Sequence, residues 1–185
     1  MQSLLQSFVL VAASEMGDKT QLLAFSLAAR YRRPVPVLLG ILVATVLNHA
    51  LAASLGSVAG SWVSPELLRW ILGGLFIAFA LWTLKPDSAD QGGSDSRFGP
   101  FLTTAMLFFL AEMGDKTQLA TVALGARFSS VAWVTVGTTL GMMLSDGLAV
   151  FAGERLAERL PMQWIRRGAA FLFFLSGLAV FFGGH

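Results

Sequence analysis

Eight residues occur twice in this 185-residue chain: Glu-Met-Gly-Asp-Lys-Thr-Gln-Leu stands at 15–22 and again at 112–119. Each copy carries two carboxylates (Glu15 and Asp18, then Glu112 and Asp115) and a lysine (Lys19, Lys116). Neutral oxygens sit beside them on Thr20, Gln21, Thr117 and Gln118. Clustered carboxylates with hydroxyl and amide oxygens suit a hard divalent cation. On a continuous helix Glu and Asp at i and i+3 share one face, so each copy would offer two acids to one point. Four carboxylates would then form a cage where the copies meet, and the threonines and glutamines would add oxygens if Gly17 and Gly114 let the helices unwind. Met16 and Met113 place a thioether next to each Glu, and such softness would favour Mn²⁺ over Ca²⁺. An ideal helix turns that position about 100° away from the Glu face, so packing is the favoured role.

The elements that must position these groups are membrane helices. The chain is 55% hydrophobic and 13% charged, with a mean hydropathy of +0.69. Soluble domains carry about 25% charged residues. Six apolar stretches of about 20 residues would use roughly 120 positions, most of the chain. A soluble enzyme, a nucleic-acid binder and a disordered tail are thereby excluded. Apolar runs between breakers predict helices near 3–28, 35–57, 67–84, 101–125, 131–152 and 164–183. The absence of Cys removes disulfides, zinc thiolates and thiol redox chemistry. No Lys or Arg precedes the first apolar run, which continues past its small residues, so a retained helix is expected rather than a signal peptide.

Basic residues set the expected orientation. The first, third and fifth connections hold Arg30, Arg32, Arg33, Lys85, Arg97, Arg155, Arg159, Arg166 and Arg167, whereas the second and fourth hold only Arg69 and Arg127. That bias puts the odd connections in the cytoplasm and both termini outside. The Gly/Ser/Asp-rich stretch at 85–100 reads as a flexible cytoplasmic linker between a first unit at 1–84 and a second at 101–185.

The octamers recur at an offset of 97, which also aligns Ala29-Arg30-Tyr31 with Ala126-Arg127-Phe128 and Gly40 with Gly137. The chain is an internal duplication of a three-helix unit. Three is odd, so the second unit must enter the bilayer from the opposite side. The expected fold class is all-α integral membrane, with six transmembrane helices as two inverted three-helix repeats. Inverted repeats place a transport site near the midplane, on broken helices. Glu15 lies about 11 residues into its span, roughly 16 Å deep, and Glu112 lies equally deep. An Asp or Lys there costs at least about 2.5–3.5 kcal/mol, so such residues are functional candidates by default. The bland alternative pairs Glu15 with Lys19 and Glu112 with Lys116 at i,i+4. It leaves Asp18 and Asp115 unexplained, and the lysines can instead balance the acids when no cation is bound. In the second helix of each unit Asn48-His49 aligns with Ser145-Asp146. Asp146, Asn48 and His49 form a second tier of candidates, with His49 as either a ligand or a cavity-facing hydrogen-bonder, and Asn48 and Ser145 as either site groups or interhelical hydrogen-bonders.

The doubled E-x-G-D-K-T motif in a six-span chain with an acidic linker resembles the family of cation:proton exchangers that includes bacterial manganese exporters and Golgi and chloroplast manganese/calcium transporters. The resemblance covers essentially the whole chain. It implies export of Mn²⁺ or Ca²⁺ from the cytoplasm in exchange for protons, with no enzymatic step and no resident cofactor. It carries the family's essential acids onto Glu15, Asp18, Glu112 and Asp115, with Lys19, Thr20, Lys116 and Thr117 completing the signatures. An organellar targeting extension is missing, which points to a multi-pass protein of the bacterial cytoplasmic membrane. Expected partners are the divalent ion, protons and the bilayer, not nucleic acid; monomer and homodimer both stay open. Physical reasoning supports exchange independently, because crowded carboxylates in a low-dielectric site cannot all stay ionised once a cation leaves. The rivals are a divalent-cation channel or uniporter and an exporter of basic amino acids. A metalloenzyme would want a His-rich zinc motif, and only His49 and His185 exist.

Overall fold

A computed structural model describes residues 1–85, 98–152 and 162–182. Most of the expected linker lies outside these residues, as do Arg97, Arg155, Arg159 and His185. Among the described residues the chain forms eight helices: α1 (Gln2–Glu15), α2 (Lys19–Tyr31), α3 (Pro34–Ser61), α4 (Pro65–Thr83), α5 (Pro100–Glu112), α6 (Lys116–Phe128), α7 (Val131–Ala152) and α8 (Met162–Phe182). Pro34, Pro65 and Pro100 open three of them, where a missing N–H costs nothing and the fixed φ is already helical. Ser64 caps α4 by accepting from the Leu67 N–H at 3.4 Å. Arg32 and Ser129 end α2 and α6 in the left-handed conformation, each returning its N–H to the carbonyl four residues back.

The expected first and fourth helices are therefore each two helices, broken inside the repeated octamer. The second is longer than the apolar run suggested, reaching Ser61. Three helices are long and apolar enough to cross a membrane, Pro34–Ser61, Pro65–Thr83 and Val131–Phe151, and two shorter apolar helices accompany them. Polarity is distributed inside out, as in a membrane protein. Leu47, Leu51 and Leu55 line an exposed face of α3, whereas Glu15, Asp18, Glu112, Lys116 and Asp146 are buried. Lipid solvates the first group at no cost, while the second group needs partners the bilayer cannot give.

The two halves exchange partners. Helix α1 packs on α7 and α5 on α3, while α3 and α7 also pack on each other and α4 pairs with α8. The aligned glycines explain the first two contacts. A Cβ on Gly40 would lie 2.6 Å from the Phe101 carbonyl oxygen, and one on Gly137 would lie 2.5 Å from that of Leu4. Phe101 and Leu4 are themselves 97 residues apart, so the same backbone-on-backbone contact is built twice. Thr45 and Met142, another pair at that offset, meet each other, with Thr45 Oγ1 3.0 Å from Met142 Sδ. All three contacts join positions of the first half to positions of the second that the offset of 97 interchanges.

Candidate functional site

Each octamer is a break between two helices. Glu15 and Glu112 are the last residues of α1 and α5, and Asp18 and Asp115 are the N-caps of α2 and α6. Between them Met16 and Met113 are extended, and Gly17 and Gly114 take φ of 82° and 77°, the region open chiefly to glycine. The Asp N–H closes each turn onto the Glu carbonyl, at 3.1 Å for Asp18 to Glu15 and 3.2 Å for Asp115 to Glu112. The expectation that Glu and Asp share a helix face fails for this reason. Glycine unwinds the helix between them, so a turn rather than helical periodicity sets where each Glu stands relative to its Asp.

A broken helix frees backbone groups, and several predicted site residues take those up. Gln21 Oε1 accepts the Gly17 N–H at 2.9 Å, and Gln118 Oε1 accepts that of Gly114 at 2.7 Å. Gln21 Nε2 also donates to the Ser145 carbonyl at 3.1 Å, tying the first break to α7. Asn48 Nδ2 donates to the Phe109 carbonyl at 3.1 Å, in the last turn before the second break. The glutamine oxygens that the sequence offered as neutral donors are thus each engaged by the backbone amide of a break. The spacing carried that signal, since a glutamine four residues after a glycine reaches back to the amide that the break exposes.

The breaks meet. Donor oxygens of Glu15, Glu112 and Asp115 lie within 4.8 Å of one another, and all three residues are buried. Glu15 accepts from both threonine hydroxyls, Thr20 Oγ1 at 2.8 Å and Thr117 Oγ1 across the interface. Neither Glu112 oxygen has a hydrogen-bond partner among the described residues, and the same is true of Asp146. Asp146 on α7 is close enough to couple electrostatically to Glu15 and to Glu112. His49 is fully buried on α3, with both ring nitrogens unpartnered and no place in the acid cluster. Ser145 is buried beside Asp146, its hydroxyl also unpartnered. Met113 is 57% exposed, while Met16 is half-buried and lines a cavity together with Phe8 and Phe171.

The fourth motif acid stands apart from this cluster, and the lysines explain why. Lys116 Nζ lies 3.0 Å from Asp18 Oδ1, and Lys19 Nζ lies 3.0 Å from Asp115 Oδ1. Each lysine crosses to the other copy's aspartate; neither makes the i,i+4 pair with its own glutamate. The N-cap places each Asp at the start of a helix whose first residue is the lysine of the same copy, pointing onward to the partner break. The two bridges differ in burial, with side-chain exposures of 7% and 0% for Lys116 and Asp18 but 30% and 5% for Lys19 and Asp115. Lys116→Met should therefore cost about 3–5 kcal/mol, because it removes one charge of an ion pair that is buried on both sides. Lys19→Met should cost nearer about 1 kcal/mol, since its bridge is partly solvated. Unfolding of both variants in mixed micelles checks this, and equal losses would contradict the asymmetry.

A model of the family described as "Divalent cation/proton antiporter GDT1" matches residues 3–91 and 100–185. A protein of Vibrio cholerae named "Putative manganese exporter" is 48% identical over 177 residues, 95% of this chain and 88% of that protein. "GDT1-like protein 5" of Arabidopsis thaliana is 30% identical over 221 residues, 96% of each chain. A rice protein named "GDT1-like protein 2, chloroplastic" is 32% identical over 212 residues, 96% of this chain and 60% of its own length. No solved structure matches.

Proposed function

The chain belongs to the GDT1 family of divalent cation/proton antiporters, and from that premise we propose that it exports a divalent cation, Mn²⁺ before Ca²⁺, from the cytoplasm in exchange for protons. The observation that carries this reading is the meeting of Glu15, Glu112 and Asp115 at two helix breaks. One acid comes from the first half and two from the second, so the cation would sit where the halves can move against each other. The ion is the substrate. Glu15, Glu112 and Asp115 would bind it, with Asp18 and Asp146 adding charge from their flanks. Thr20 and Thr117 orient the Glu15 carboxylate, and Gln21 and Gln118 keep the breaks open.

Proton coupling follows from the same crowding. Five buried carboxylates face two lysines here, and a bound dication compensates much of that excess. When the ion leaves, like charges at low dielectric take up protons until the site is near neutral. The crosswise lysine bridges supply part of the balance and link the two breaks. We assign units 1–84 and 101–185 as inverted three-helix repeats that rock against each other. The same reading gives six spans, a cytoplasmic linker at 85–100, outside termini and a bacterial cytoplasmic membrane. The Mn²⁺ preference rests on the Vibrio relative's name.

Flux in proteoliposomes tests the proposal. With an imposed pH gradient, added Mn²⁺ should drive proton movement followed by an internal pH dye, and faster than added Ca²⁺. Cation uptake that ignores the pH gradient would instead establish a channel or uniporter. No response to either ion would remove divalent-cation exchange altogether.

A further inference from the structure

Two arginines at one end of the bundle have no part in the transport reading. Arg127, in the last turn of α6, lies with its guanidinium carbon 5.9 Å from the Phe76 ring centroid and 5.1 Å from that of Phe128. Arg69 on α4 lies 5.9 Å from the ring of Trp70. Arg127 Nη1 and Arg69 Nε are both buried without a hydrogen-bond partner. Neither guanidinium pairs with a carboxylate among the described residues. Both line one cavity of about 930 Å³, whose rim also carries the exposed Glu66. One nitrogen of each guanidinium is shut from water without a partner, which is costly and which the aromatic faces offset only in part, while the rest of each half-buried head lines the cavity. This end of the molecule is built for an anion.

The cavity does not end at the arginines. A second one of about 380 Å³ shares Gln2, Arg127 and Ala179 with it and continues between α1 and α8 over Leu5, Val9 and Leu175. Gln6, which donates to Ser176 Oγ at 3.1 Å, is a further polar group on a slot whose walls are chiefly apolar. A cationic head with an apolar tail running along two helices has the complementary shape and chemistry of a phospholipid. We infer that this is a binding site for one anionic phospholipid, its phosphate on Arg127 and Arg69 and one acyl chain along the α1–α8 slot. A zwitterionic lipid presents the same phosphate but brings its own cation toward the two arginines, so an anionic headgroup is selected. A free phosphate ion would satisfy the arginines without using the slot. The site needs only a bilayer, and its occupancy is independent of whether the protein exchanges cations.

Native mass spectrometry of the detergent-purified full chain, titrated with phosphatidylglycerol or phosphatidylcholine, tests the site. One phosphatidylglycerol should be retained in preference to phosphatidylcholine. Joint replacement Arg69→Gln and Arg127→Gln should weaken its retention about 25-fold, about fivefold for each guanidinium. Leu175→Trp, on an exposed face, fills the slot and leaves both arginines in place; it too should lose the lipid, and it decides the matter if the double variant does not fold. Equal retention of the two lipids overturns the inference, as does a folded double variant, or Leu175→Trp, that holds phosphatidylglycerol as tightly as the natural protein. Complete displacement of the lipid by an equal concentration of inorganic phosphate would also overturn it, leaving a small-anion pocket only.

Discussion

Glu112→Gln is expected to lower divalent-cation flux by about 100-fold or more while leaving the protein folded. Glutamine keeps the shape of the side chain and removes its charge. A charged partner removed from a buried electrostatic site is worth about 3–5 kcal/mol, and 1.4 kcal/mol is tenfold. Stability should change little, because the one attraction Glu112 gives up in the unliganded protein is to the partly exposed Lys19, without a hydrogen bond or ion pair. Neither of its oxygens has a partner, and it is fully buried beside Glu15 and Asp115. Loss of one negative charge from that crowd relieves repulsion, so unfolding in mixed micelles should be unchanged or slightly harder. Glu15→Gln makes the contrast. Its carboxylate accepts from Thr20 and Thr117, so the same chemical change also disturbs a hydrogen-bonded junction between the halves and should cost both flux and stability. Normal flux through Glu112→Gln would remove the acid cluster as the cation site. Lost flux with a matching loss of stability would assign Glu112 a structural role instead.

Much of this site was legible in the sequence because its information is discrete. A charged octamer repeated in apolar surroundings has few explanations, and the offset of 97 found both copies and the aligned glycines Gly40 and Gly137. The break within each octamer was harder to read. A single glycine in a helical pattern is compatible with a continuous helix, and only its positive φ, with glutamine reaching back to its amide, shows that Gly17 and Gly114 end one helix and start another. The ion pairs were less legible still. Helical spacing pointed each lysine at its own glutamate, but a pair across 96 or 98 residues of sequence follows from how two breaks face each other, which no local pattern records. The separation of Asp18 from the three-acid cluster has the same origin.

The contact between α3 and α6 should be the least tolerant of added volume. A Cβ on Gly56 would stand 1.9 Å from the Val122 carbonyl oxygen and 2.8 Å from its carbon, and one on Gly125 would stand 2.4 Å from the Ala53 oxygen. All of these are backbone atoms on helices, so no rotamer change can make room and the helices themselves must part. Overpacking of side chains costs about 1–3 kcal/mol, and a backbone clash belongs at or above the upper end. Gly56→Ala is therefore expected to destabilise by about 3 kcal/mol in mixed micelles. Gly74→Ala is the control, for nothing lies within 4 Å of a Cβ there. Alanine should be neutral at that position or stabilise by about 0.5–1 kcal/mol through helix propensity. The contact also reaches the acids. Helix α6 starts at Lys116, directly after Asp115, and α3 holds the Phe109 carbonyl through Asn48. A wedge at Gly56 thus tilts one break against the other, and misplacement by about 1 Å is enough to cost a positioned site 100-fold. Flux should fall with stability in Gly56→Ala and stay intact in Gly74→Ala. Should Gly56→Ala prove as stable as the natural protein, α3 and α6 must stand apart in most molecules in the membrane, and this packing would be the minor of two arrangements.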